Sequence, residues 1–180
     1  TLRSASSAGG LDNLTPDEMK LLSPGTFDLL ALLFNTIEQG GAWPKALLVG
    51  KASFLEKGIE TRGDPLGYRV LLILPALYRR WTSLRLYQLR EWIGLWANEA
   101  IFAGKPEMGA EDAWMSASTA VEIALAQGKP VTFGSADITK CFDYIIRPLI
   151  YSLAEEAGFP IQLLDAYMRY HEAVEARNSL

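Results

Sequence analysis

Between Pro75 and Ala97 the large apolar residues Leu77, Trp81, Leu84, Leu89, Trp92, Ile93 and Trp96 fall on one helical stripe. Arg79, Arg80, Arg85 and Arg90 take much of the remaining circumference. A helix with so heavy an apolar side must bury it against a second layer, so the chain folds around a core. The tryptophans share their stripe with leucines and therefore read as core rather than as platforms for stacking bases. The 180 residues suffice for about one domain, or one and a fragment. Apolar residues at 49% and charged residues at 21% exclude wholesale disorder or a fibrous repeat.

The other segments follow from local signals. Thr15-Pro16-Asp17-Glu18 supplies a capping residue, a first-turn proline and a glutamate three positions on, which predicts a short helix to about Leu22. After Ser23-Pro24-Gly25-Thr26, the spacing of Phe27, Leu29, Leu30, Leu33, Phe34 and Ile37 predicts a helix closed by Gly40-Gly41. Strands are expected over Leu47 to Leu55 and Tyr68 to Leu74, flanking a polar loop from Gly58 to Gly67. Glu111 to Ala126 reads as a helix ended by Gly128, and Pro130 to Ile138 as a strand. Two final helices are expected over Phe142 to Ala157 and Pro160 to Ala176. The order points to an α+β arrangement, because the strands are too far apart for a simple βαβ run.

Composition narrows function by exclusion. The longest apolar run, Val70 to Leu77, is far short of the roughly 18 residues a membrane span needs. No secretory signal is visible, and the absence of an initiating Met suggests an excerpt. A lone cysteine, Cys141, permits no internal disulfide, and a lone histidine, His171, gives no zinc-ligand spacing. An intracellular, reducing setting is expected. The net charge of −4 argues against wholesale nucleic-acid binding. Yet Lys51 to Arg90 holds eight basic and three acidic residues, a local excess of five positive charges that a phosphate backbone or a merely solvated helix face would equally explain.

The chemistry-bearing segment is Asp137-Ile138-Thr139-Lys140-Cys141-Phe142-Asp143, which places a carboxylate at the end of an expected strand and before a helix start. Hard cations such as Mg²⁺ take oxygen ligands, commonly one or two carboxylates plus substrate phosphates. Paired ions in phosphoryl or nucleotidyl transfer use such carboxylates. The plain alternative is that Asp137 merely ends a strand and Asp143 complements a helix dipole.

S-A-D-I-T-K-C-F-D-Y-I-I-R-P-L-I-Y-S-L-A-E-E-A-G-F-P resembles the first catalytic motif of reverse transcriptases, in particular those of non-LTR retrotransposons and group II introns. G-L-D-N-L-T-P-D-E-M-K-L-L, the Trp43-Pro44 pair, L-E-K-G and G-D-P-L-G-Y-R-V-L-L-I-L-P-A-L-Y-R-R-W are similar to the same family's fingers, and F-A-G-K-P-E-M-G-A-E-D-A-W is a weaker echo. The segments occur in the family's order across nearly the whole chain. The resemblance implies helix-rich fingers over residues 1–128 and the start of a right-hand polymerase palm over 129–180, with the palm incomplete.

By that resemblance, Asp137 matches the first metal-binding, catalytic aspartate, and the backbone carbonyl of Ile138 an additional metal contact. Phe142 matches the aromatic gate that clashes with a ribose 2′-hydroxyl, although an ordinary core Phe is the bland reading. Lys57 and Arg69 match the finger cations that hold the triphosphate, or else are simply solvated. Arg79, Arg80 and Arg85 would meet nucleic acid. Two Mg²⁺ ions, an RNA template, a DNA primer and deoxynucleoside triphosphates would complete the intact enzyme, with no membrane partner. Cys141 reads as packing, since no histidine lies near it in sequence to activate it.

Departures from the pattern bear on activity. Glu56 and Val70 stand where the family usually has proline, and Asn13 where it has glycine. The later palm motif, an aromatic residue followed after one position by two aspartates, does not occur, and Tyr170-His171-Glu172-Ala173 offers one carboxylate within a helical pattern. One aspartate cannot organise two ions, so this stretch alone is expected to lack polymerase activity. The alternatives are a degenerate reverse transcriptase-like module that binds nucleic acid without catalysis, and a helical protein-interaction domain.

Overall fold

The computed structural model describes residues 9–12, 14–58, 64 and 67–178; the Asn13 position and much of the expected 58–67 loop lie outside them. Among the described residues there are seven α-helices and three strands, a mixed α+β chain. The helices are α1 (Pro16–Lys20), α2 (Pro24–Glu38), α3 (Ala76–Gln88), α4 (Arg90–Trp96), α5 (Ala110–Ala126), α6 (Arg147–Glu156) and α7 (Ile161–Ala173). The strands are β1 (Val49–Glu56), β2 (Tyr68–Ile73) and β3 (Glu175–Asn178), in spatial order β2-β1-β3. No helix is long and apolar enough to cross a membrane among the described residues. The chain packs as two compact units, Thr1–Arg85 with Pro160–Leu180, and Leu86–Phe159.

In the first unit the helix starts form as the sequence dictates. Thr15 and Glu18 close the capping box of α1, with Glu18 Oε2 accepting from Thr15 N at 2.7 Å and Oγ1 at 2.8 Å. The α2 start uses Ser23 as cap and Pro24 in its first turn. At its other end Gly40 takes φ +97°, a conformation glycine reaches without strain. Arg169 of α7 donates to the carbonyls of Ile37 and Gly41, each at 2.6 Å, and so ties α7 to the end of α2 and the turn that follows it.

The core of this unit joins α2 (Phe34, Ile37), α3 (Tyr78, Trp81) and α7 (Ala166, Tyr170) around Trp43 and Leu47. Trp43 meets Tyr78, Trp81 and Tyr170 edge-on at 5.0–5.5 Å between centroids, and its indole N–H donates to Ala166 O at 2.8 Å. Tyr78 and Tyr170 stack at 3.4 Å.

β1 pairs antiparallel with β2, Lys51 opposite Ile73 through Glu56 opposite Tyr68, and parallel with β3, Val49 beside Glu175. The third strand differs from the one expected. Residues 129–138 form no strand, because a strand needs a neighbour for its N–H and C=O groups and none of the described residues provides one there. Instead the expected Pro160–Ala176 helix stops at Ala173, and Glu175 N donates to Leu48 O at 2.9 Å to begin β3.

In the second unit, the helix expected over 75–97 divides. Leu89 leaves helical geometry (φ −84°, ψ 0°), and α4 restarts with Ile93 N donating to Leu89 O at 2.9 Å. The restart buries Leu89 and Ile93 and leaves Trp96 49% exposed, so the stripe is only partly core. Trp92 packs edge-on against Phe159 at 5.0 Å and donates to Ala157 O at 2.7 Å. α5 and α6 bury no residue fully. The helix expected from Phe142 begins only at Arg147, after a 3₁₀ turn over Cys141–Tyr144.

Candidate functional site

The hairpin of β1 and β2 brings two of the expected residues together. Lys57 N donates to Gly67 O at 2.8 Å, which carries the pairing one step beyond Glu56 opposite Tyr68. Arg69 lies opposite Leu55. Lys57 sits at a bend one residue past the end of β1, and Arg69 is the second residue of β2, so both lie at the same end of the hairpin. Both are exposed. Two cations so placed can meet one polyanion.

Asp137, Ile138 and Phe142 lie in the second unit. Asp137 is exposed in a segment without regular structure, not at the end of a buried strand as expected. Lys140, at φ +53°, turns the chain into the 3₁₀ segment that carries Phe142. Phe142 is 89% exposed and is not a core residue within its unit. Ile138 is 69% exposed. Cys141 is exposed, which corrects its reading as a packing residue.

The basic residues of α3 divide by role. Arg85 Nε and Nη2 donate to the two oxygens of Glu38 at 2.6 and 2.8 Å, and Trp81 Nε1 donates to Glu38 Oε1 at 2.7 Å. The guanidinium is thus braced against the end of α2, with its side chain 22% exposed. Arg79 and Arg80 are half-buried on the same helix. Sequence reasoning did not single out Glu38, although a signal was present: it sits in the last turn of α2, where a negative charge opposes the helix dipole and no basic residue of that turn offsets it.

For a hard cation, the Asp137 carboxylate and the Ile138 carbonyl are chemically apt oxygen donors. They are an incomplete set: among the described residues no group of three or more His, Cys, Asp or Glu could hold a metal ion. A two-ion centre therefore needs further ligands.

No protein-family model matches the chain, and no curated protein matches it.

Proposed function

We propose that this chain is the fingers and first palm segment of a reverse transcriptase, whose intact form joins a primer 3′-hydroxyl to a deoxynucleotide on an RNA template. The observation that carries the reading is that Lys57 and Arg69, both exposed, lie at the same end of the β1-β2 hairpin, at the positions where the sequence resemblance requires triphosphate-binding cations. Fixed positive charge at that face offsets charge on the triphosphate before and during transfer. The exposed Phe142 ring is accessible to a nucleotide sugar and would exclude a 2′-hydroxyl by contact. Asp137 and the Ile138 carbonyl would supply part of a Mg²⁺ site, the rest coming from substrate phosphates and other carboxylates of the intact enzyme. Bound Mg²⁺ supplies charge neutralisation at the phosphate.

The test is titration of a fluorescent deoxynucleoside triphosphate into the 180-residue chain. Lys57→Ala and Arg69→Ala should each weaken binding by about tenfold, a loss of about 1.4 kcal/mol. Unchanged affinity in both would reject the assignment. A second reading, a module that binds nucleic acid without catalysis, is favoured by the incomplete donor set around Asp137.

A further inference from the structure

Among the described residues β2 is an edge strand, and the pairing shows which of its groups no described residue uses. The Lys57 to Gly67 bond fixes the odd-numbered residues of β1 as those bonded to β2. Glu175 N donating to Leu48 O agrees, since it assigns the even-numbered residues of β1 to β3. In β2, therefore, Arg69, Leu71 and Ile73 face β1, while the N–H and C=O groups of Tyr68, Val70 and Leu72 point away from the sheet. No described residue bonds to those outward groups.

The two edges of the sheet differ. β3 is four residues long, Glu-Ala-Arg-Asn, fully exposed and charged, the composition that blunts an edge. β2 is Tyr-Arg-Val-Leu-Leu-Ile, six residues with one charge, no proline and exposed apolar side chains on both faces. Val70 (63%) and Leu72 (42%) lie on one face and Leu71 (45%) on the other. A strand added here must be extended, apolar on both faces and nearly uncharged. β2 itself meets that description.

We infer that the open edge of β2 pairs antiparallel with β2 of a second copy of this chain. About a two-fold axis at Val70, each Val70 lies opposite the other and Tyr68 lies opposite Leu72, so the outward-pointing residues all fall in hydrogen-bonded pairs. Each Arg69 then faces a Leu71, and no like charges are opposed. The joined sheet ends on β3 at both sides, so assembly stops at the dimer. This inference does not depend on the polymerase reading.

The experiment is light scattering with size exclusion on the 180-residue chain over a concentration series, with hydrogen exchange at single amides. The expected mass is twice the 19.9 kDa of one chain, with the Val70 and Leu72 amides gaining protection as concentration rises. Val70→Pro removes an outward N–H without touching the β1 ladder, and Val70→Lys adds charge to the edge; each should give monomer with an unchanged circular dichroism spectrum. If Val70→Pro does not fold, Val70→Lys and the wild-type amide protection decide. A wild-type monomer at all concentrations, an open-ended aggregate, or a dimer retained by Val70→Lys would overturn the inference.

Discussion

Glu38 accepts both hydrogen bonds of a bidentate pair from Arg85, across 47 positions of sequence, while the Trp81 indole shares one of its oxygens. Their side chains are 14% and 22% exposed, so neither charge is fully hydrated. Glu38→Ala removes two charged hydrogen bonds from the guanidinium and the acceptor of the Trp81 indole N–H, and should cost about 2–3 kcal/mol in chemical denaturation. A loss below about 0.5 kcal/mol, the ordinary scale for exposed ion pairs, would show that the brace is only a surface contact.

The same pairing bears on the basic face of α3. If Arg79 and Arg80 are the ones that meet phosphates, Arg80→Ala should lower the slope of log affinity against log salt by about one for a short RNA-DNA duplex. An unchanged slope would remove Arg80 from the contact.

Tyr170 is fully buried, and its hydroxyl has no hydrogen-bond partner among the described residues. Burial, reinforced by the Asp12 carboxylate, pushes its phenol well above the usual value of 10.0. The unfolded chain therefore releases this proton near pH 10 while the folded one holds it. Stability is fully present below that pH and falls as pH rises through and beyond it. Tyr170→Phe should keep the stack on Tyr78, leave neutral-pH stability equal or raised by up to about 1 kcal/mol, and flatten the alkaline decline. A clear loss of stability at pH 7 would mean the hydroxyl is bonded after all.

Glu18 behaves oppositely. The backbone N–H of Thr15, then its hydroxyl, hold the Glu18 carboxyl below 4.5. Its contribution is present above that value and is lost as pH falls through the lowered folded pKa. Thr15→Ala should bring the Glu18 titration, followed by carbon-detected NMR, back toward 4.5, because the hydroxyl bond is gone. An unmoved titration would assign the whole effect to the backbone donor.

How much was legible depended on whether a signal was local. Ser23-Pro24 and Gly40 bracket α2 within its own turns, and Thr15 with Glu18 marks α1, so both helices were readable. The Pro130–Ile138 strand was read from β-prone residues alone, and composition cannot supply the pairing partner that makes a strand. β3 was missed for the reverse reason: Glu-Ala-Arg-Asn carries no apolar alternation, and only pairing with β1 makes it a strand. At the candidate site, Lys57 and Arg69 were named by resemblance alone; what local signals gave was the two strands and the loop between them, which bring the pair to one end of a hairpin. The capture of Arg85 by Glu38 is tertiary, and only the ill-placed charge at the end of α2 hinted at it.

The most direct measurement is single-nucleotide primer extension with Mg²⁺ by a chain that continues through a paired-aspartate palm segment, comparing Asp137 with Asp137→Asn. The polymerase reading predicts extension by the former and a loss of at least a thousandfold in the latter, with folding unchanged. Extension at the normal rate by Asp137→Asn would contradict it.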